Sequence, residues 1–205
     1  MDKKINILIR THRRPVKFKR LLDSIASQTY KNYEIFVSVD DDLTYQYVKE
    51  NGIGDAHICH ANLYYSNDVS VEKSICEYNR YFNRLIEMVE DGYIYCIDDD
   101  DYLMDKYVLE HISTALLDNA LTLFRMHAFG KLIPSYSFGR EITVGDIGIP
   151  CFCVHSKHAK LVEWSNTYTA DGEFIKDIED KVEMVIWSDL VACMVETNNK
   201  GRSEL

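Results

Sequence analysis

An apolar run that ends abruptly in acid constrains this chain more than any other feature. Tyr93-Ile94-Tyr95-Cys96-Ile97 leads directly into Asp98, Asp99, Asp100 and Asp101. The run is too short for a helix and has the β-branched and aromatic content of a buried strand. Its ending is costly. Two carboxylates about 4 Å apart repel by roughly 1 kcal/mol in water and roughly 4 kcal/mol at a partly buried site. A chain carries such a cluster where the side chains splay into solvent, where some take up protons, or where a cation sits among them. All-oxygen ligands suit Mg²⁺, Mn²⁺ or Ca²⁺ rather than zinc. A strand that presents ligands at its carboxyl end also fits the place where open α/β sheets bind ligands.

The same design appears earlier. Ile5 to Ile9 reads as a first buried strand, and Arg10-Thr11-His12-Arg13-Arg14-Pro15 follows it. Pro15 suits the first turn of a helix, and Phe18, Leu21, Leu22 and Ile25 recur at helical spacing. Ile35 to Val39 is a second strand, closed by Asp40-Asp41-Asp42. Tyr45 to Glu50 reads as a short helix and His57 to His60 as a short strand. Asn62 to Ser70 reads as a loop. Ile75, Tyr78, Phe82, Leu85, Ile86 and Val89 form an amphipathic helix that Asp91-Gly92 ends.

After the acid cluster, Val108 to Leu116 reads as a helix with Asp105 at its N-cap. Leu121 to Met126 and Phe129 to Ile133 read as strands about a tight turn. Ser135 to Gly148 is irregular, and Cys151 to His155 is a short strand. Helices are expected over 156–162 and 171–181, and strands over 184–187 and 190–195. Alternating strand and helix in the first half predicts a parallel sheet with right-handed crossovers. The second half adds shorter, antiparallel pieces. The expected class is therefore α/β, with one domain over 1–205, since 205 residues suffice for one sizeable core.

The net charge of −10 argues against non-specific binding to nucleic acid or to an anionic membrane. No apolar run approaches the roughly 20 residues of a membrane span, and the run after Lys3 and Lys4 is too short for a signal-peptide core. These points predict a cytoplasmic protein. The six cysteines lack a zinc-type spacing and are expected as reduced thiols.

In a parallel sheet the strand ends share one edge. That edge would gather Thr11, His12 and Arg13, then Asp40 and Asp41, then Arg80, Asn83 and Asp98 to Asp101. Such a set can bind a nucleotide, with acids for base N–H and ribose hydroxyls and with cations and a metal for phosphates. The rest of the cationic group from Arg10 to Arg20 is expected on a solvated helix face. Arg13, and after it Arg10, are the members expected to face the nucleotide.

Three stretches extend this pattern: Ile7-Leu8-Ile9-Arg10-Thr11-His12-Arg13-Arg14-Pro15, Leu21 to Tyr30, and Tyr33 to Asp41. Together they closely resemble the opening of family 2 nucleotide-sugar glycosyltransferases. Asn83 to Glu87 and Gly92 to Asp100 resemble that family's next landmarks, in the right order and spacing over residues 5–104. The resemblance implies a GT-A fold: a Rossmann-like, mostly parallel sheet flanked by helices, with a small antiparallel addition in the second half. It implies sugar transfer from a nucleotide diphosphate, most often a UDP-sugar, to a hydroxyl of a glycan or glycoconjugate. Residues 1–104 would form the nucleotide-sugar-binding half and 105–205 the acceptor-binding half.

By position, Thr11 and Asp40 or Asp41 look like the base-binding pair, and Arg13 and Arg80 lie near the base or diphosphate. Asp98 and Asp99 would face ribose and sugar hydroxyls. Asp100 would be the main ligand of Mn²⁺ or Mg²⁺, with Asp98 beside it, and Asp101 would point away. Some GT-A enzymes add a late histidine, here His155. Thr169-Ala170-Asp171-Gly172-Glu173-Phe174 resembles the family's acidic pair followed by an aromatic. Asp171 would be the base, with Glu173 second, and an inverting reaction follows from that role. Trp164, Trp187, Tyr136 and Phe138 could stack on sugar faces. Two other readings are a nucleotide-sugar or cation-binding module without turnover, and a sugar nucleotidyltransferase. The latter normally carries a Gly-rich loop after its first strand, and Thr11 to Pro15 contains no glycine.

Overall fold

A computed structural model describes residues 3–61, 76–196 and 204–205. The expected loop from Asn62 to Ser70, and Ile75 of the amphipathic helix, lie outside the described residues. The sheet contains β1 (Ile5–Arg10), β2 (Tyr33–Val39), β3 (Ile58–His60), β4 (Tyr93–Asp98), β5 (Tyr102–Leu103), β6 (Ala120–Ala128), β7 (Lys131–Ile133), β8 (Phe152–His155) and β9 (Met184–Met194). Their order is β3-β2-β1-β4-β8-β6-β9-β5, with β7 paired to β6. The helices are α1 (Pro15–Ala26), α2 (Asp42–Glu50), α3 (Tyr81–Met88), α4 (Val108–Ala115), α5 (Ser156–Ala159) and α6 (Ala170–Glu179).

The first half is parallel, as the alternation of strands and helices predicts. β1 lies between β2 and β4, and Arg10 stands in register with both Ser38 and Asp98. Three strand ends are thereby set level at one edge. β1 and β4 are buried along nearly their whole length, which explains their unbroken apolar text. α1 covers them with Phe18, Leu21 and Ile25, all buried. Gly92 makes the turn into β4 at φ +95, and a Cβ there would lie 2.8 Å from the Lys4 carbonyl, so only glycine fits.

The second half closes the sheet by antiparallel pairing of β8 with β4 and β6. The expected strands at 184–187 and 190–195 are one strand, β9. It pairs parallel to β6 and absorbs the Ser188-Asp189 step as a bulge, seen as a register shift around Arg125. Asp105 does not cap α4; its carboxylate accepts from the Tyr107 N–H in the turn before the helix. The amphipathic helix starts later than its apolar pattern, because Glu77–Arg80 is a 3₁₀ turn. Trp164 is 2% exposed and stacks on Phe174 at 4.6 Å while touching Phe82 at 4.9 Å, so it packs α6 against α3. All six cysteines are free thiols. Among the described residues no helix is long and apolar enough to cross a membrane.

Candidate active site

The level edge of β1, β2 and β4 opens onto two adjoining cavities of about 500 and 310 Å³. The larger is walled by Thr11, His12, Asp40 and Tyr81, with Arg14 and Asp100. The smaller is walled by Asp171 and Thr169 together with the apolar Met126, Phe129, Ile147 and Pro150. Arg10, Tyr78, Asp98, Asp101, Tyr168 and Val195 belong to both. Volumes of this order suit small-molecule ligands.

The acid run is divided by a turn. β4 ends at Asp98, and the Asp101 N–H donates to the Asp98 carbonyl at 3.2 Å. A turn of this kind brings its first and fourth residues together. Asp98, Asp100 and Asp101 accordingly offer carboxylate oxygens within 4.8 Å of one another. Asp99 faces the other way. It is fully buried, accepts from the Thr11 hydroxyl at 2.7 Å and pairs with Arg14 at 2.8 Å. Burial pushes its pKa up to about 7 against the pull of Arg14. Asp99, expected to face the ligand, is turned inward, and Asp101, expected to point away, lines both cavities. Asp99 braces the strand ends, while Asp101 joins the cluster. Burial also raises the pKa of Asp100 and drives that of Asp101 well above the carboxylate range, with Asp98 adding to both.

Lys19 stands on the solvated face of α1 as expected, but Arg10, Arg14 and Arg20 form a row of counter-charges to the acids. Arg10 grips Asp98 through Nε at 2.6 Å and Nη2 at 3.1 Å. Arg14 reaches Asp100 at 2.8 Å. Arg20 donates to the Asp100 carbonyl at 2.6 Å and to Glu196 at 2.9 Å. Pro15 starts α1 and so fixes Arg14 just ahead of it. Arg14, Tyr78 and Asp101 are the site residues that sequence reasoning missed. The signal available was the adjacency of Arg14 to both the first strand end and Pro15.

At the β2 end, Asp40 is engaged by His12 Nδ1 at 2.8 Å and by the Tyr81 hydroxyl at 3.2 Å. Asp41 caps α2 through the Thr44 N–H at 2.8 Å and holds Arg13 Nε at 2.6 Å. Burial raises the Asp41 pKa, but these two partners outweigh it and the net shift is downward. Arg13 therefore braces the start of α2, and Arg10 is the arginine in both cavities. Thr11 is buried between Asp99 and the Tyr47 hydroxyl, the latter at 2.6 Å.

Other expected site residues stand elsewhere. Asn83 exchanges hydrogen bonds with the backbone of Trp164 at 2.8 and 3.1 Å and so pins the loop before α6. Arg80 is exposed on the 3₁₀ turn before α3 and lines neither cavity. His155 pairs with Tyr93, the first residue of β4, and therefore sits at the opposite edge from Asp98. There it caps α5 through the Lys157 N–H and lies 3.5 Å from Asp91. Its register removes it from the acid cluster. Phe138 packs against Trp187 and beneath Arg125, and Tyr136 is exposed away from both cavities.

The two acids of α6 differ sharply. Glu173 accepts from Thr169, Ser165 and Thr167 at 2.7, 2.8 and 2.9 Å, and these hydroxyls lower its pKa. Its oxygens are spent holding the loop. Asp171 faces the smaller cavity and takes a hydrogen bond from the Gly172 N–H at 2.8 Å. Burial raises its pKa to about 6. A Cβ on Gly148 would lie 2.6 Å from Met126 Cε and 3.7 Å from Asp171 Oδ2, so glycine keeps this end of the cavity open.

No protein-family model matches the chain, and no curated protein matches it in sequence. Solved structures do. One is S. aureus TarS 1–349 in complex with UDP-GlcNAc, at a TM-score of 0.71 and 18% identity, covering 98% of this chain and 60% of that one. The fold is GT-A. A mannosyltransferase from Pyrobaculum calidifontis, in complex with GDP-Man and Mn²⁺, matches at a TM-score of 0.65 and 12% identity, over 98% of this chain and 59% of that one. The chain thus spans about three-fifths of the length of these glycosyltransferases. With the GT-A fold, the cavities lie at the carboxyl edge of the parallel strands, where open α/β sheets bind ligands.

Proposed function

We propose that this chain is a metal-dependent, inverting glycosyltransferase that moves a sugar from a nucleoside diphosphate, with UDP favoured, to a hydroxyl of a glycan or glycoconjugate. One observation carries the reading. An all-oxygen acid cluster and a buried carboxylate poised near neutrality face the two adjoining cavities of a GT-A fold. Residues 1–104 supply most of the donor-binding half and 105–205 most of the acceptor-binding half.

Asp98, Asp100 and Asp101 fit a hard divalent cation by donor type and spacing. When bound, Mn²⁺ or Mg²⁺ supplies Lewis-acid stabilisation of the charge that grows on the departing diphosphate. Arg14 and Arg10 hold the carboxylates in place before the donor arrives. The His12–Asp40–Tyr81 group lies at the end of the donor cavity expected to take the base. The acceptor hydroxyl enters the smaller cavity, and Asp171 takes its proton as it attacks the anomeric carbon. A general base with a pKa of about 6 is mostly ionised at neutral pH and still basic enough to be useful. Attack from that side, opposite the departing diphosphate, inverts the anomeric configuration. Ile147 and the other apolar residues that line the smaller cavity exclude water from the attacking hydroxyl.

Thermal unfolding with a panel of nucleoside diphosphates, with and without Mn²⁺, tests the reading. A ligand at about 100 times its dissociation constant adds roughly 2.7 kcal/mol to stability. That is a rise of roughly 4 °C or more for a chain of this length. The account expects a rise that needs the diphosphate and Mn²⁺ together. No rise with any diphosphate plus Mn²⁺ rejects it.

A further inference from the structure

Arg10 sits where the two cavities meet, at the last position of the central strand β1. Its guanidinium has five N–H donors in a fixed fork. Two grip both oxygens of Asp98, and a third reaches Asn79 Oδ1 at 2.5 Å. The guanidinium carbon lies 4.7 Å from the Tyr78 ring centroid and 5.1 Å from that of Phe82. These contacts fix it on every side. Its side chain is only 13% exposed, so the charge acts through a poorly screened medium.

We infer that Arg10 is the positioning residue that couples the two cavities. By forking onto Asp98 it fixes the carboxylate that meets the donor, and by its charge it sets the field in which Asp171 works across the smaller cavity. The inference rests on the glycosyl-transfer reading for its kinetic consequences, and its electrostatic half stands without that reading.

The groups that face Asp171 divide by sign. Arg10 comes from β1, and Asp98 and Asp101 come from the turn after β4. Tyr78 and Tyr168 line the cavity, and the buried Cys151 thiol is close enough to Asp171 for the carboxylate to raise its pKa. Burial raises the Asp171 pKa most; the Gly172 N–H lowers it, Arg10 lowers it further and Asp98 raises it. Arg10 and Asp98 thus act on Asp171 with opposite sign. Removing one alone exposes Asp171 to the other.

The test is a charge cycle in the full chain: wild type, Arg10→Gln, Arg10→Lys, Asp98→Asn and the double variant Arg10→Gln/Asp98→Asn. The Asp171 carboxyl is titrated by ¹³C NMR without substrate, and thermal unfolding establishes that each variant is folded. The expected titration of Asp171 moves up by about one pH unit in Arg10→Gln, down by a similar amount in Asp98→Asn, and back to near wild type in the double variant. Arg10→Lys keeps the charge and the titration but loses the fork, so the donor KM rises about tenfold while the acid limb of kcat stays in place. A titration that is the same in all five proteins overturns the electrostatic half. A donor KM in Arg10→Lys equal to wild type overturns the positioning half. Failure of the wild type to turn over any nucleotide sugar rejects the glycosyl-transfer reading, and the NMR cycle still decides the coupling.

Discussion

The two cavities handle carboxylates in opposite ways. In the larger one several of the lining acids have counter-charges: Arg10 of β1 on Asp98, Arg14 from the loop before α1 on Asp100, and Arg20 of α1 on Glu196. In the smaller one Asp171 has no ion pair among the described residues, and apolar side chains share the lining with it. Paired acids hold a ligand's shape in place and stay as they are through a reaction. Burial lifts both Asp99 and Asp171 toward neutrality, but Asp99 is held by Thr11 and Arg14 and lines neither cavity, whereas Asp171 faces one and can exchange a proton with a molecule in it. The difference separates binding from chemistry.

Breaking the binding side has the largest expected effect. Asp100→Ala leaves the cluster short of a ligand and Arg14 short of a partner. Turnover with Mn²⁺ falls by about 10³-fold or more, as expected when charge stabilisation of a leaving group is lost. Retained Mn²⁺-dependent turnover in a steady-state assay removes Asp100 from the metal site.

Breaking the chemical side comes next. Asp171→Asn lowers kcat by about 10²–10⁴-fold, the usual worth of a positioned base, and leaves donor affinity within about twofold. In the wild type kcat falls as pH drops through about 6, because the protonated carboxyl cannot accept the hydroxyl's proton. A pH profile flat from 5 to 8 excludes that role.

Stability sharpens the contrast with a smaller effect. The Asp171 pKa is raised in the fold, so ionising it costs stability. The cost is absent below the unfolded value near 4 and is complete above about 6. Asp171→Asn is therefore more stable than wild type at pH 8, by about 1–3 kcal/mol, and loses that advantage at pH 4. Urea unfolding at the two pH values measures it. Equal stability of the two proteins at pH 8 contradicts the burial argument.

The smallest effect falls on the second acid of α6. Glu173→Gln keeps the side-chain shape but weakens three hydroxyl contacts, costing about 1–2 kcal/mol. It changes kcat by less than about threefold. A kcat loss as large as that of Asp171→Asn would make Glu173 the base instead.

The fold was legible where the chain is buried on both faces. β1, β2 and β4 announce themselves because parallel strands under helices carry unbroken apolar runs. The ends of those runs therefore mark the site's edge. Less legible was which way each acid points. A four-residue turn reverses the alternation of a strand, so Asp101 returned to Asp98 while Asp99 turned inward. The partners of Arg14 and Asn83 are similarly distant in sequence, 86 positions for Arg14–Asp100 and 81 for Asn83–Trp164, and no local pattern encodes them. His155 was misplaced for a topological reason: β8 runs antiparallel to β4, so the end of one strand meets the start of the other. Ser188-Asp189 looked like a break because a bulge and a turn share the same residue types.

The most direct test of the division of labour is calorimetric titration of UDP with Mn²⁺ into wild type, Asp171→Asn and Asp100→Ala. The account predicts equal affinity, within about twofold, for wild type and Asp171→Asn, and a loss of about thirtyfold or more, roughly 2 kcal/mol, in Asp100→Ala. Equal weakening in both variants, or binding that does not need Mn²⁺ in any of the three, would contradict it.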